Sequence, residues 1–471
     1  MSYKKLIIIF FIAVLPGLYL NEFFSRGESR EALVPLFMIE TGNFILPKVY
    51  NALVPSKPPM LHWVAVINSS IFGDINTFTL RLSSLIFSVL AVFLLGYELE
   101  KRYKTSLLSF HSVFFTLFSL LWFRYSLLFR VDMVHSSSLF VALLYGFRFL
   151  DSSRVFDLII SNLFLALAFL AKGPIAVLLS VPIYIIFQLI IRYSIMQIIS
   201  NTFNLIFSGC ILALPWYLVA YKIDPVGFSN RFLMENVGRF SGTMPEEVGH
   251  SHGIPYLLAV YFVGLLPTVL FLAVPFKNLN FKQYMSIDSL LVILRKDHFR
   301  LFAIISIVVP ILFYSIPSSK RDVYLLSTVP FFSYLVAQLI VEKGFRLNYK
   351  YYFGLGALFI LVSNLSGVLY TNSFSYRAFS EQIAKIEGIG SAKIYTFANE
   401  LYGVSFYSKL RIFSLPQEPN EKIELNSGDI IIVSRKDLSN FENIYGSNFD
   451  FILESSKGVT KPNLKFVVLQ K

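Results

Sequence analysis

The chain has 471 residues, of which 55% are hydrophobic and only 15% charged, with a mean hydropathy of +0.63. Water-soluble domains of this size carry about 25% charged residues, so most of this chain is built to face lipid. The net charge of +12 is scattered through short segments between apolar runs rather than gathered on one soluble basic face, which excludes a nucleic-acid partner and makes the excess a matter of membrane topology.

In chain order, Met1 to Lys5 followed by the apolar run Leu6 to Leu20 resembles a signal peptide, but no small-residue cleavage site follows, so it reads as a retained first span. Further runs of near the roughly 20 residues that cross hydrocarbon lie at 78–99, 106–122, 131–150, 155–171, 174–191, 199–221, 254–275, 299–316, 323–341 and 351–370, about eleven spans in all. The division at Lys172-Gly173-Pro174 is the finest of these, because apolar sequence runs nearly unbroken from Leu158 to Arg192. The one cysteine, Cys210, sits inside a run, so no internal disulfide and no cysteine metal site is expected.

Orientation follows from the bias of Lys and Arg toward cytoplasmic connections. With the N-terminus inside, Lys101, Arg102, Lys104, Arg148, Arg154, Arg192, Lys277, Lys282, Arg295, Lys296, Lys343, Arg346 and Lys350 are cytoplasmic. The first loop (22–77), the connections at 123–130 and 172–174, the long loop 222–253, the stretch 317–322 and everything after Tyr370 are then outside. Within the first loop, the amphipathic pattern from Ala32 to Ile39 predicts a helix lying in the interface. After Thr371, strand-like runs at 393–397, 429–434, 451–453 and 464–469 alternate with helical patterns at 376–387, 400–408 and 436–444, which predicts a small α/β domain outside the membrane. It contains no glycine-rich nucleotide motif.

Ionisable residues gather on the outer side: Glu28, Arg30, Glu31, Lys57, Asp132, Lys172, Glu235, Arg239, His250, His252, Lys320, Arg321 and Asp322 all fall in outside loops or at the outer ends of spans. Such a mixture suits a reaction in which a phosphate leaves, since cations stabilise the developing phosphate charge and a carboxylate takes a proton from an attacking hydroxyl. The bland readings are that loops collect charges, that Lys172 snorkels to the interface, that Asp132 pairs locally with Arg130, and that Trp63, Trp122 and Trp216 form an interfacial belt. His250 and His252 are spaced so that an extended loop could chelate a divalent metal ion, or they hydrogen-bond substrate.

A series of segments resembles a known family. Glu28 and Arg30, a helix ending in Thr41-Gly42-Asn43-Phe44-Ile45-Leu46-Pro47, Lys57-Pro58-Pro59-Met60-Leu61-His62-Trp63 and Thr79-Leu80-Arg81-Leu82 are similar to the first outside loop of lipid-linked-sugar glycosyltransferases of the GT-C fold, in particular the ArnT-like and protein-mannosyltransferase-like bacterial enzymes. The likeness continues in order through Arg130-Val131-Asp132-Met133, 170–174, Pro215-Trp216-Tyr217, 235–240, 249–253 and 318–326. Two departures stand out: Gly27-Glu28 where many relatives have Asp-Glu, and Ser56 where others have an acidic residue before Lys-Pro-Pro.

The resemblance implies a polytopic helical membrane protein that moves a sugar from a polyprenyl-phosphate donor to a lipid A, glycolipid, glycan or protein acceptor outside the bacterial plasma membrane. It implies a transmembrane catalytic domain over 1–371 and an extracytoplasmic α/β domain over 372–471. Glu28 and Asp132 become the expected catalytic carboxylates, and Arg30, Lys57, Lys172, Arg239, His250, His252, Lys320, Arg321 and Tyr324 the expected contacts to donor phosphate or substrate. A divalent metal ion is carried as an open expectation resting on His250 and His252. The competing classes are a transporter or flippase of a lipid-linked precursor, which predicts repeat symmetry and ionisable groups at mid-membrane depth, and a noncatalytic assembly subunit, which explains none of the motifs.

Overall fold

The computed structural model describes residues 2–47, 57–238, 252–272, 296–317, 320–344, 349–461 and 463–471. They divide into two compact units: Met1–Val14, Ser56–Leu61 and Arg81–Phe359 form one, and Leu15–Pro55, His62–Leu80 and Ile360–Lys471 the other. The helices before the last unit's sheet are α1 (Tyr3–Leu20), α2 (Arg26–Thr41), α3 (Met60–Phe72), α4 (Thr77–Tyr103), α5 (Ser106–Leu117), α6 (Leu120–Ser126), α7 (Val131–Ser152), α8 (Val155–Lys172), α9 (Ile175–Ile190), α10 (Ile195–Ile223), α11 (Pro225–Leu233), α12 (Ile254–Gly264), α13 (His298–Ser315), α14 (Val329–Glu342) and α15 (Tyr349–Ser366).

Helix stands at every one of the predicted spans. Among the described residues eight helices are long and apolar enough to cross a membrane, and α5 with α6, bent by 68°, makes a ninth. The count falls below the expected eleven because α9 has 16 residues and α12 only 11, short of the roughly 20 that span hydrocarbon. Part of the predicted run at 254–275 also lies outside the described residues. The division at Lys172 is made by Gly173, which closes α8 at φ 91° and ψ −161°, a conformation open essentially to glycine alone. A Cβ there would also stand 3.3 Å from Asn236 Oδ1.

In the first unit α7 is the central helix, buried over nearly its whole length. It runs antiparallel to α8 through the two-residue connection Ser153-Arg154; the Ala142 carbonyl of α7 accepts from Ser161 Oγ of α8 (2.9 Å) and from Tyr184 Oη of α9 (3.0 Å), which fastens both helices to it. Polar side chains of this kind hold spans together where lipid supplies no hydrophobic drive between helices. The bend between α5 and α6 frees backbone groups that hydrocarbon would leave unsatisfied. They are met locally: Leu120 N–H donates to Leu266 O (2.8 Å), and Thr268 Oγ1 donates to Phe115 O (3.0 Å).

At the far end of the α7/α8 pair a charged network joins three helices. Arg148, buried on α7, donates to Glu98 of α4 (2.8 Å) and to Asp157 of α8 (2.9 Å), while Arg102 holds Glu98 and Asp151. Glu98 and Asp157 are themselves buried. Such carboxylates are tolerable only while both cations stay.

The second unit holds α2, α3 and the C-terminal sheet. α2 starts at Ser25, whose hydroxyl accepts from the Glu28 N–H (3.4 Å), and ends at Gly42 in the left-handed region (φ 69°), whose N–H returns to Met38 O. The amphipathic segment 32–39 is thus helical as predicted, within a longer helix buried along most of its length. Strands β1 (Ile394–Phe397), β2 (Ile412–Leu415), β3 (Ile430–Ser434), β4 (Asp450–Glu454) and β5 (Phe466–Gln470) form one sheet in the order β2-β1-β3-β5-β4. β1 is parallel to β2 and β3, and β5 is antiparallel to both β3 and β4. β1 and β3 are buried at every position, as continuous apolar runs in a parallel sheet should be. Phe397, Ile431 and Val433 pack there with Phe441 and Tyr445 of the helix Leu438–Tyr445. β2 had no sequence-level prediction: it is four residues long, with two apolar side chains buried.

α2 is anchored to the C-terminal part of this unit. The helix Tyr402–Ser408 packs along it, Phe23 N–H donates to Tyr407 Oη (2.7 Å), the Phe23 and Phe406 rings meet at 5.2 Å, and Arg26 pairs with Glu400.

Two stability outcomes follow. Arg148→Ala leaves the Glu98 and Asp157 carboxylates buried with too few cations, and should cost about 3–5 kcal/mol, read as a lowered unfolding temperature in detergent. Gly173→Ala should cost about 1–3 kcal/mol in the same measurement, because alanine rarely adopts that backbone conformation.

Candidate active site

The antiparallel α7/α8 hairpin brings the first turn of one helix against the last turn of the other. Asp132 therefore meets Lys172: Nζ donates to Oδ1 at 2.7 Å, with both side chains largely buried. Arg130, the residue that caps α7, stands with Nε 3.5 Å from the other carboxylate oxygen. The helix N-terminus adds its own favourable partial charge to the Asp132 carboxylate. Both the local pair with Arg130 and a longer-range partner are present, and Lys172 turns inward to Asp132 instead of only reaching for the interface.

The same ammonium lies 5.3 Å from the centre of the Tyr324 ring, which stacks on Tyr314 at 4.7 Å. Tyr324 comes from the 3-10 turn Asp322–Thr328, which Arg321 precedes, and the Arg321 charge also reaches Asp132. Lys320 is buried with Nζ on the Pro317 carbonyl at 2.5 Å. Asp322 accepts from Tyr125 Oη (3.2 Å) and from the Val323 N–H (2.8 Å).

Lys57 forms a second buried pair, with Nζ 2.5 Å from Glu235 Oε2 and both side chains 14% exposed. Glu235 lies on a one-turn π-helix, Met234–Gly238, directly after α11. Widened turns of this kind redirect side chains and recur at functional sites. His135, one turn into α7 from Asp132, lies within electrostatic reach of Lys172, Asp132 and Lys57 together, so the two pairs share one neighbourhood. Its Nδ1 donates to Ala168 O (3.1 Å), one turn before Lys172, and so helps set α7 against α8.

In the second unit, Glu28 is buried at the third position of α2, where the Ser25 cap and the helix N-terminus favour a carboxylate. Ser25 to Glu28 is also the spacing of a helix capping box, a structural role that the sequence reading did not weigh. Arg30 pairs with Glu31 at 3.0 Å, and Glu31 in turn meets the fully buried His62 imidazole at 3.0 Å. Nearby, burial and the Glu400 carboxylate push the Tyr402 hydroxyl above its ordinary range.

The structure thus brings Asp132, Lys172, Arg321 and Tyr324 together, with Lys57 in the same electrostatic neighbourhood. Lys320 belongs to the turn beside them but spends its ammonium on a backbone carbonyl. Glu28 and Arg30 belong to the other unit. Arg239 and His250 lie outside the described residues, and with them the histidine-pair metal expectation. His252 is exposed and stacks on Tyr256. Among the described residues no group of three or more His, Cys, Asp or Glu could hold a metal ion. Three polar residues were not expected as site members: Glu235 as the partner of Lys57, His135, and His62. Glu235 and His62 sit inside quoted motifs, and His135 follows Asp132 at i+3 on the same helical face.

Comparison with known proteins agrees with this architecture. Residues 56–218 match the family model described as dolichyl-phosphate-mannose-protein mannosyltransferase. The chain is 25% identical to an uncharacterized protein of Aquifex aeolicus over 440 residues, 92% of each chain. It is 26% identical to the undecaprenyl phosphate-alpha-4-amino-4-deoxy-L-arabinose arabinosyl transferase of Shewanella sediminis over 72% of this chain and 61% of that one. A Proteus mirabilis protein with the same kind of name matches at 24% over 69% and 56%. The chain thus spans somewhat under two thirds of these two named transferases. The crystal structure of ArnT from Cupriavidus metallidurans bound to undecaprenyl phosphate superimposes with a TM-score of 0.78 at 14% identity, covering 99% of this chain and 97% of that one. In fold this multi-span membrane protein is like ArnT, and over residues 56–218 its sequence is like the dolichyl-phosphate-mannose-protein mannosyltransferase family.

Proposed function

We propose that the chain transfers a sugar from a polyprenyl-phosphate donor to an acceptor on the extracytoplasmic side of the plasma membrane, with the N-terminus inside, residues 1–371 as catalytic domain and 372–471 as extracytoplasmic domain. The observation that carries this reading is the buried, cation-rich constellation of Lys57, Asp132, Lys172 and Arg321 at one end of the span bundle. Its support from relatives lies in the named arabinosyl transferases and in the ArnT structure with undecaprenyl phosphate.

In the reaction, an acceptor oxygen attacks the anomeric carbon from the face opposite the phosphate, the carbon–oxygen bond to phosphate breaks, and polyprenyl phosphate leaves with the electron pair. Configuration inverts. Lys57, held by Glu235, exchanges one anionic partner for another as the donor phosphate enters, and Lys172 and Arg321 lower the cost of the charge that develops on the leaving group. Glu28 takes the acceptor proton or, if the acceptor is already a phosphate anion, supports the positive charge at the anomeric centre. Lipid A, another glycolipid or glycan, or a protein hydroxyl can each serve as acceptor in this chemistry.

Release of polyprenyl phosphate from a panel of polyprenyl-phosphate sugars, with undecaprenyl phosphate-4-amino-4-deoxy-L-arabinose first, tests the proposal on protein in nanodiscs with a membrane-extract acceptor pool. Glu28→Gln should lower turnover by about 10²–10³-fold while the unfolding temperature holds, and Lys57→Ala by as much with a lowered unfolding temperature, because the Glu235 carboxylate loses its ammonium partner. Intact donor moved across the bilayer without release of polyprenyl phosphate would replace the transferase with a flippase.

A further inference from the structure

The far end of the same helices carries a feature that the transfer reaction does not use. A cavity of about 280 Å³ is lined by Glu98, Lys101, Arg102, Arg148, Asp151, Ser152, Arg154 and Asp157. These residues come from the last turns of α4, the last turns of α7 and the start of α8. At 1.5 Å per residue, α7 and α8 separate them from Asp132 and Lys172 by roughly 23–30 Å, close to a hydrocarbon thickness, so the cavity opens toward the opposite membrane surface.

Its floor is already neutralised. Arg102 and Arg148 are committed to Glu98, Asp151 and Asp157, and Ser152 Oγ lies 3.4 Å from Asp157 Oδ2. What remains for a ligand is at the rim. Lys101 and Arg154 are exposed and make no ion pair among the described residues, and the Asp151 side chain, with one oxygen on Arg102, is one third exposed. Directly along α8 from Arg154, Val155, Phe156 and Ile159 present apolar side chains outward, 57–66% exposed. Two cations, one carboxylate and an apolar track that enters the membrane describe a zwitterionic phospholipid with its tails on α8.

We propose that this cavity binds the headgroup of an aminophospholipid, with its phosphate on Lys101 and Arg154 and its primary ammonium on Asp151. A purely anionic headgroup satisfies Lys101 and Arg154 but brings no ammonium to the one-third-exposed Asp151 carboxylate. A choline headgroup has no N–H to donate to Asp151.

The test uses native mass spectrometry of delipidated full-length protein exposed to micelles doped with phosphatidylethanolamine, phosphatidylcholine or phosphatidylglycerol, with inorganic phosphate as competitor. Wild type should retain phosphatidylethanolamine about tenfold over phosphatidylcholine, the difference expected of one charge-assisted hydrogen bond. The double substitution Lys101→Gln with Arg154→Gln should weaken retention by about 30-fold, and Asp151→Asn should abolish the preference between ethanolamine and choline. If the double variant does not fold, Arg154→Gln alone, at the exposed cap of α8, makes the same comparison. Equal retention of the three lipids, or retention indifferent to the rim substitutions, overturns the site. Preference for phosphatidylglycerol overturns the ammonium contact, and displacement by millimolar inorganic phosphate makes it a soluble-phosphate site.

Discussion

A carboxylate and an ammonium, largely buried and 2.7 Å apart, hold one end of the α7/α8 hairpin. Neither Asp132 nor Lys172 could occupy that depth alone, since an unpaired charge out of water costs several kcal/mol. Their pairing dictates that α7 and α8 end level with one another, that Gly173 turn the chain sharply at that level, and that the turn carrying Arg321 and Tyr324 lie close by. The pair fixes the helices, and it keeps a cation largely buried at the end of the hairpin.

The opposite end of the same hairpin follows the same rule with more partners. Arg148 reaches two carboxylates on two other helices, so α7 and α8 are tied at both ends of the hairpin and α4 joins them at this one. Between the ties, the contacts are of another kind: small residues and hydroxyls that donate to carbonyls, such as Ser161 and Tyr184 on Ala142. Charge sets the register of the helices, and packing fills what lies between.

Much of this was legible in the sequence because hydropathy over 18 or more residues is a strong signal and because charges avoid hydrocarbon. The helices, the break at Lys172, the α/β character after Thr371 and the side of the membrane shared by Asp132, Lys172 and Lys320 to Asp322 could all be read that way. Partners were harder. Lys57 and Glu235 are separated by 178 residues, and periodicity carries no information about such a pair. His135 sits among apolar and hydroxyl residues in a span, with no charged neighbour in sequence after Asp132 to single it out. The strand Ile412–Leu415 is too short for alternation to register against its surroundings. The count of spans also depended on geometry: a run such as 106–122 carries no charge and reads as one segment, yet it folds as two helices at 68°.

That bend has a mechanical consequence. Kinks in helices usually act as compliant points, because the backbone groups they release are free to exchange partners. Here the released groups are bonded to the segment at 266–268, and Ser119 and Thr268 hydroxyls meet at 3.0 Å. The elbow is braced by a strut from the far side of the sequence. Any rotation about it would have to carry the end of α12 along, so α5, α6 and α12 transmit displacement as a linkage, and force applied to one arm is delivered to the other.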